Sequence, residues 1–297
     1  MMKEISPCLG APGICTIAAI GFVLPVWLAV YLLPSGSIEN PAKSRAQTVA
    51  EVIDLFKRNE FDPEVSLAAG ELRLPPVFLE ELPEDLGKLG DLGRRKSVFV
   101  SIVLPHILRE NQRILSERLR LRRLHWEVAA ERKLRPRDHS WLAERAKIYR
   151  TRPMDTEELL RRIDIVPPLL AVAQAALESG WGTSRFAQAG NALFGQHAPI
   201  GAGAIQATGD GSVALRAFDN LQGSVRGYMR NLNRNRAYRA FRAMRERMRV
   251  NENPLDATQL AGTLGSYSEE RQLYIDRLLG LMVLPEVAAA KNAGFLN

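Results

Sequence analysis

In AALESGWGTSRFAQAGNALFGQ (residues 175–196), one carboxylate, Glu178, closes an Ala-rich apolar stretch and is followed by Gly-Trp-Gly. If the stretch is helical, Glu178 lies in its last turn, where the negative end of the helix dipole disfavours an ionised acid. Apolar neighbours and Trp181 oppose ionisation further by desolvation. Both effects raise the pKa, which suits a general acid working near neutral pH. Gly180 and Gly182 would permit a tight helix exit and leave room for a substrate beside the carboxylate. A plainer reading stays open on local physics alone: a helix-end glutamate, solvated or capping a neighbour.

The elements that must position this acid are mostly helical. PPLLAVAQAALES (167–179) is opened by proline and built of small and apolar residues, so it is expected to be buried on most sides. Beyond the acid, AIQATGDGSVALRAF (204–218) carries two short β-prone runs around Gly209-Asp210-Gly211, the clear hairpin signal of the chain. Amphipathic patterns predict helices over 140–150, 155–163 (capped by Asp155 or Thr156), 221–235, 238–249, 253–264 and 268–284. A further helix is expected from Arg94 to about Leu134, with Pro105 kinking or interrupting it. Residues 72–93 read as loop. The fold class is therefore mainly α, an α+β helical body with one small β-element.

Composition narrows the chemistry. The chain has 297 residues, 46% hydrophobic, enough for a normal core. Its two cysteines, Cys8 and Cys15, lie at the N-terminal end, and His106, His125, His139 and His197 make no metal-binding spacing. No metal site and no cofactor are expected. Gly180-x-Gly182 and Gly201-x-Gly203 do not follow a strand and open a helix, so nucleotide binding is dismissed. The net charge of +7 favours anionic surfaces. Its arginine excess is thick in 113–137, where interspersed acids favour a solvated helix face over a stripe for a protein partner or anionic lipid. A nucleic-acid partner is not expected. Ile14 to Leu33 is a run of twenty uncharged residues with Pro25, Trp27 and Tyr31, and reads as an uncleaved transmembrane anchor. A cleaved signal or a buried soluble helix are the alternatives.

The E-S-G-W-G-x-S block followed by N-x-L-F-G resembles the signature of the glucosaminidase family of peptidoglycan hydrolases, family 73 of the glycoside hydrolases, and within it the Bax-like branch. The similarity covers roughly Ile165 to Leu279. It implies a lysozyme-like helical domain with a small β-hairpin lobe across a sugar-binding groove. It also implies Glu178 as catalytic acid, with Ser179 and Trp181 in the turn after it, and Asn191, Phe194 and Gly195 in the segment leading to the substrate. Tyr267 and Tyr274 fall where the family has a tyrosine pair on its last helix. His197 follows the motif and either lines the groove or is an ordinary loop residue, whereas Phe218 and Tyr228 read as core.

Glycoside hydrolysis usually needs two carboxylates. Between Ser179 and Phe218 the chain has one, Asp210, which a turn would also explain, while Asp219 reads as a helix cap. Three outcomes stay open: Asp210 as base, assistance by the substrate's N-acetyl group positioned by Tyr267, or loss of activity.

The apolar run, the composition and the resemblance together divide the chain into an N-terminal anchor or uncleaved signal (1–34), a linker and helical extension (35–139), a glucosaminidase domain (140–285) and a tail (286–297). The expected function is a single-pass hydrolase of peptidoglycan glycan strands, held at the inner membrane with its body on the periplasmic side. The alternative is a catalytically silent glycan-binding or scaffolding module.

Overall fold

The computed structural model describes residues 43–44, 47–68, 72–197, 204–206 and 214–296. The expected anchor at Ile14–Leu33 and Asp210 in the hairpin turn lie outside them. Among the described residues no helix is long and apolar enough to cross a membrane.

The chain enters through β1 (Lys43–Ser44), α1 (Val49–Arg58) and α2 (Pro63–Ala68), then passes β2 (Arg73–Leu74) and β3 (Phe78–Leu79). The long α3 (Leu92–Ala129) follows, then α4 (Pro136–Tyr149), α5 (Thr156–Arg162), α6 (Pro168–Ser179) and α7 (Arg185–Gly190). The hairpin strands are β4 (Ala204–Gln206) and β5 (Ala214–Arg216). The remainder is α8 (Leu221–Arg234), α9 (Arg239–Val250), α10 (Ala257–Ala261), α11 (Gln272–Met282), α12 (Pro285–Ala288) and β6 (Gly294–Phe295).

β4 and β5 pair antiparallel, Ile205 opposite Leu215, as the turn-flanked pattern predicts. The other strands make two-residue parallel pairs, β1 with β3 and β2 with β6. The last of these ties residues near the C-terminus to the loop before α3. It also shows that the stretch expected to be loop carries paired backbone.

Helix boundaries follow their caps. Thr48 and Glu51 form a reciprocal capping box on α1. Asp155, rather than Thr156, caps α5. Asn220 caps α8, which corrects the expectation for Asp219; that residue is exposed one position earlier. Gln272 opens α11 later than its pattern predicts, because Arg271 adopts φ 42°, outside helical geometry. Tyr267 therefore precedes the helix instead of lying on it.

α3 runs unbroken through Pro105 for 38 residues, against the expected kink or interruption. An interior proline costs roughly 3 kcal/mol or more in a helix. Here Val98 through Ile107 are buried on both sides of it, and fully burying one aliphatic or aromatic side chain is worth about 1.5–3 kcal/mol. Packing outweighs the local rule.

Pro41–Asn297 forms one compact unit. α3 packs on α5, α6 and α8, and a continuous core runs from Val49 to Ala290. At its centre is α6, whose residues Leu170 to Ala173 are fully buried. The arginine-rich part of α3 is not wholly a solvated face. Arg118 donates to the Leu160 and Ile163 carbonyls, and Arg120 pairs with Asp138 at 2.8 Å, while Leu119, Arg122, Arg123 and Trp126 are exposed.

Candidate active site

Glu178 lies one residue before the end of α6, and the backbone turns out through three left-handed residues, Gly180 (φ 58°), Trp181 (φ 59°) and Gly182 (φ 77°). Ser179 holds this turn: its hydroxyl donates to the Ala175 carbonyl (2.6 Å) and accepts from the Gly182 N–H (2.8 Å). Ser179 is fully buried, and these two bonds give it a turn-forming role.

Trp181 meets Phe99 of α3 edge-on at 5.9 Å, with the Lys96 ammonium 5.4 Å from its ring centre. A Cβ on Gly182 would lie 2.9–3.0 Å from Phe99, Leu82 and Leu86. That glycine makes room for core packing, not for substrate.

The glycine that faces the acid is Gly195. Its φ is 56°, and a Cβ there would sit 2.6 Å from Oε2 of Glu178. Phe194 before it is buried, stacked on Tyr228 at 3.9 Å and nearly parallel. The Tyr267 hydroxyl donates to the Phe194 carbonyl (2.8 Å). Asn191, left-handed at φ 53°, ends α7 and donates to the Phe218 carbonyl (3.2 Å). It is buried, so it shapes the segment from inside. N-x-L-F-G thus delivers bare backbone to the carboxylate.

Burial pushes the Glu178 carboxyl up to about 7, and a hydrogen bond with Tyr274 pulls the other way. No cation pairs with it among the described residues. Tyr274 takes part in a relay: Tyr228 donates to Oε1 of Gln174 (2.6 Å), and Nε2 of Gln174 donates to the Tyr274 oxygen (2.8 Å). With its oxygen so engaged, the Tyr274 hydroxyl hydrogen is free for Glu178. Tyr267 stacks on Tyr274 at 5.5 Å, and Tyr238 lies 5.8 Å from Tyr267. Burial and the nearby Glu178 charge raise both Tyr267 and Tyr274, keeping them protonated donors.

The structure thus gathers Glu178, Phe194, Gly195, Tyr267 and Tyr274. His197 is exposed and bridged to Leu215 of the hairpin, and Asp210 is not among the described residues. Sequence reasoning missed Gln174 and Tyr238. Gln174 had a signal: it is the one amide in an apolar helix, four residues before the acid and hence on its face.

The family model described as mannosyl-glycoprotein endo-beta-N-acetylglucosaminidase matches residues 155–283. Protein bax of Escherichia coli (strain K12) is 31% identical over 205 residues, covering 66% of this chain and 72% of that protein. The chain belongs to the glucosaminidase family. It is a glycoside hydrolase by that membership. The catalytic domain of the autolysin Auto from Listeria monocytogenes is also similar, at 17% identity over 57% of this chain and 97% of that one, with a TM-score of 0.32. The matched region of this glucosaminidase begins at Asp155, the cap of α5. Leu82, Leu86 and Phe99, which pack against Gly182, precede it. Part of the wall behind the acid's turn therefore comes from outside the family segment.

Proposed function

We propose that the chain is a membrane-tethered endo-β-N-acetylglucosaminidase that cleaves peptidoglycan glycan strands on the periplasmic side of the inner membrane, with Glu178 as general acid. The observation that carries this is a carboxyl at the N-x-L-F-G backbone, lifted to about 7 by burial and left without a cation. Such a group is protonated near neutral pH and can give its proton to the glycosidic oxygen as the C–O bond breaks through an oxocarbenium-like transition state. The Tyr274 hydroxyl then stabilises the carboxylate left behind. The Tyr267 hydrogen is committed to Phe194, so its oxygen is an acceptor for the substrate's acetamido N–H. The cation is captured by water with Asp210 as base, or by the substrate's own N-acetyl oxygen. The twenty uncharged residues Ile14–Leu33 support the tether.

Incubating the full chain with purified peptidoglycan and assaying new reducing ends tests the reading. Glu178→Gln should lower the rate about a thousand-fold. If wild type and variant release equally little product, the silent glycan-binding module takes its place. Extraction of the chain from membranes by an alkaline wash would remove the tether from the reading.

A further inference from the structure

A second concave surface lies away from the acid. The ends of α4 and α8, the turn Asn235–Tyr238, α5 and α9 enclose a cavity of about 470 Å³. Seven arginines line it with a single carboxylate, Glu158. Glu158 is already spent on two of them: Arg161 and Arg162 each donate to it at 2.6 Å. Arg162 also donates to the Tyr149 and Arg234 carbonyls, and Arg242 to those of Leu232 and Asn235. These three are fixed in place by the fold.

The other four, Arg150, Arg234, Arg236 and Arg239, form no ion pair with any described residue. Arg242 is 2% exposed, and its Nε has no hydrogen-bond partner. Burial, then Arg162, Arg239 and Arg161, lower this guanidinium to about 10, although Glu158 opposes them. Arg234 is lowered by burial and then by Arg150, Arg230 and Arg216. Like charges crowded around one hollow, with an orphaned buried donor on its wall, are unfavourable until an anion enters.

Tyr238 sits between Arg236 and Arg239 in the chain, and its ring lies 5.8 Å from that of Tyr267. Along α8, Arg234 is only about 9 Å of helix rise beyond Tyr228. The volume falls in the range of pockets for small organic ligands, well above that of a single water or simple ion. An extended group bearing several carboxylates fits better than a lone phosphate. Planar guanidinium forks bind carboxylates with two parallel hydrogen bonds.

We infer that this arginine cavity binds the free carboxylates of the acidic peptide stems carried on the glycan strand, so that the enzyme prefers stem-bearing strands to bare ones. The inference rests on the glycan-strand reading above. Peptide binding thereby adds to sugar binding and lowers KM for substituted substrate.

The test compares kcat/KM of the full chain on strands with intact stems and on strands stripped of them, for wild type and for the double variant Arg236→Gln with Arg239→Gln. Both residues are exposed and carry no side-chain partner, so the fold should tolerate the change. The wild-type ratio should favour stem-bearing strands, and the variant should lose roughly ten-fold of it, through KM. An unchanged ratio overturns the inference. If wild type cleaves neither substrate, the catalytic reading has failed instead, and calorimetry with a free acidic tetrapeptide decides the cavity. Binding by wild type and not by the variant upholds it. Binding of inorganic phosphate alone, or of neither probe, overturns it.

Discussion

Glu178 and Asp164 are both carboxyls withdrawn from water, and they titrate in opposite directions. Burial raises Glu178 to about 7, with only the Tyr274 hydroxyl opposing. Burial pushes Asp164 up as well, but Arg245, Arg249 and Arg118 overcome it and hold that carboxyl below its usual range. Arg249 grips it with two bonds of 3.0 Å, and Arg118 and Arg245 stand at 3.7 and 3.9 Å. Arg245 in turn donates to four backbone carbonyls around the end of α5. Desolvation is common to both acids; the supply of cations separates them. In a chain this rich in arginine, keeping guanidinium groups away from Glu178 is what leaves it able to carry a proton.

The largest expected effect breaks the structural side of this contrast. Asp164→Asn should cost roughly 3–5 kcal/mol, because buried arginines lose their counter-charge. Chemical denaturation reads this as a lower midpoint. Since the folded state depresses this acid, its contribution is present above the unfolded pKa near 3.8 and lost as pH falls through the folded value. The gap between variant and wild type should therefore narrow below pH 3.8. A midpoint unchanged at pH 7 would mean that the arginine cage is idle.

The next effect has the opposite sign. The folded state raises Glu178 from 4.5 to about 7, so stability falls between those two pH values and stays lower above them. Glu178→Gln should match wild type in stability near pH 4 and exceed it at pH 8, by up to about 3 kcal/mol. Thermal melts at the two pH values measure this. Equal melting temperatures at pH 8 would contradict a strained carboxylate.

The smallest effect sharpens the functional side. Tyr274→Phe removes the one group that lowers Glu178. If Glu178 is the general acid as proposed, the alkaline limb of the kcat/KM profile should move upward by about one pH unit. A downward shift would show that the hydroxyl does not donate to the carboxylate.

Glu178 stood out in the sequence because the features around it are local: an apolar helix, a terminal glutamate and a glycine turn within a few residues. The hairpin was legible for the same reason, as two β-prone runs around Gly209-Asp210-Gly211. The surroundings were not. The glycine against the acid is Gly195, whereas Gly182 faces Phe99, Leu82 and Leu86 from a distant stretch. Asp164 draws its arginines from α3 and α9, and no window of sequence contains all of them. Pro105 misled for a related reason. A local breaker says nothing about long-range burial, and burial joins α3 to the helices around the acid.

The pairing of β2 with β6 carries a consequence for how the molecule comes into being. Arg73 bonds the carbonyl of Asn292 across 219 residues of chain, and Gly294 donates to Leu72 beside it. A loop of that length is closed at an entropic cost that grows only slowly with its size, but its contacts form late and slow the search. In a chain made from its N-terminus, residues 72–74 stay unpaired until Gly294–Phe295 has emerged. The body is thus expected to close this pairing only after β6 has been made, as a latch that shuts late.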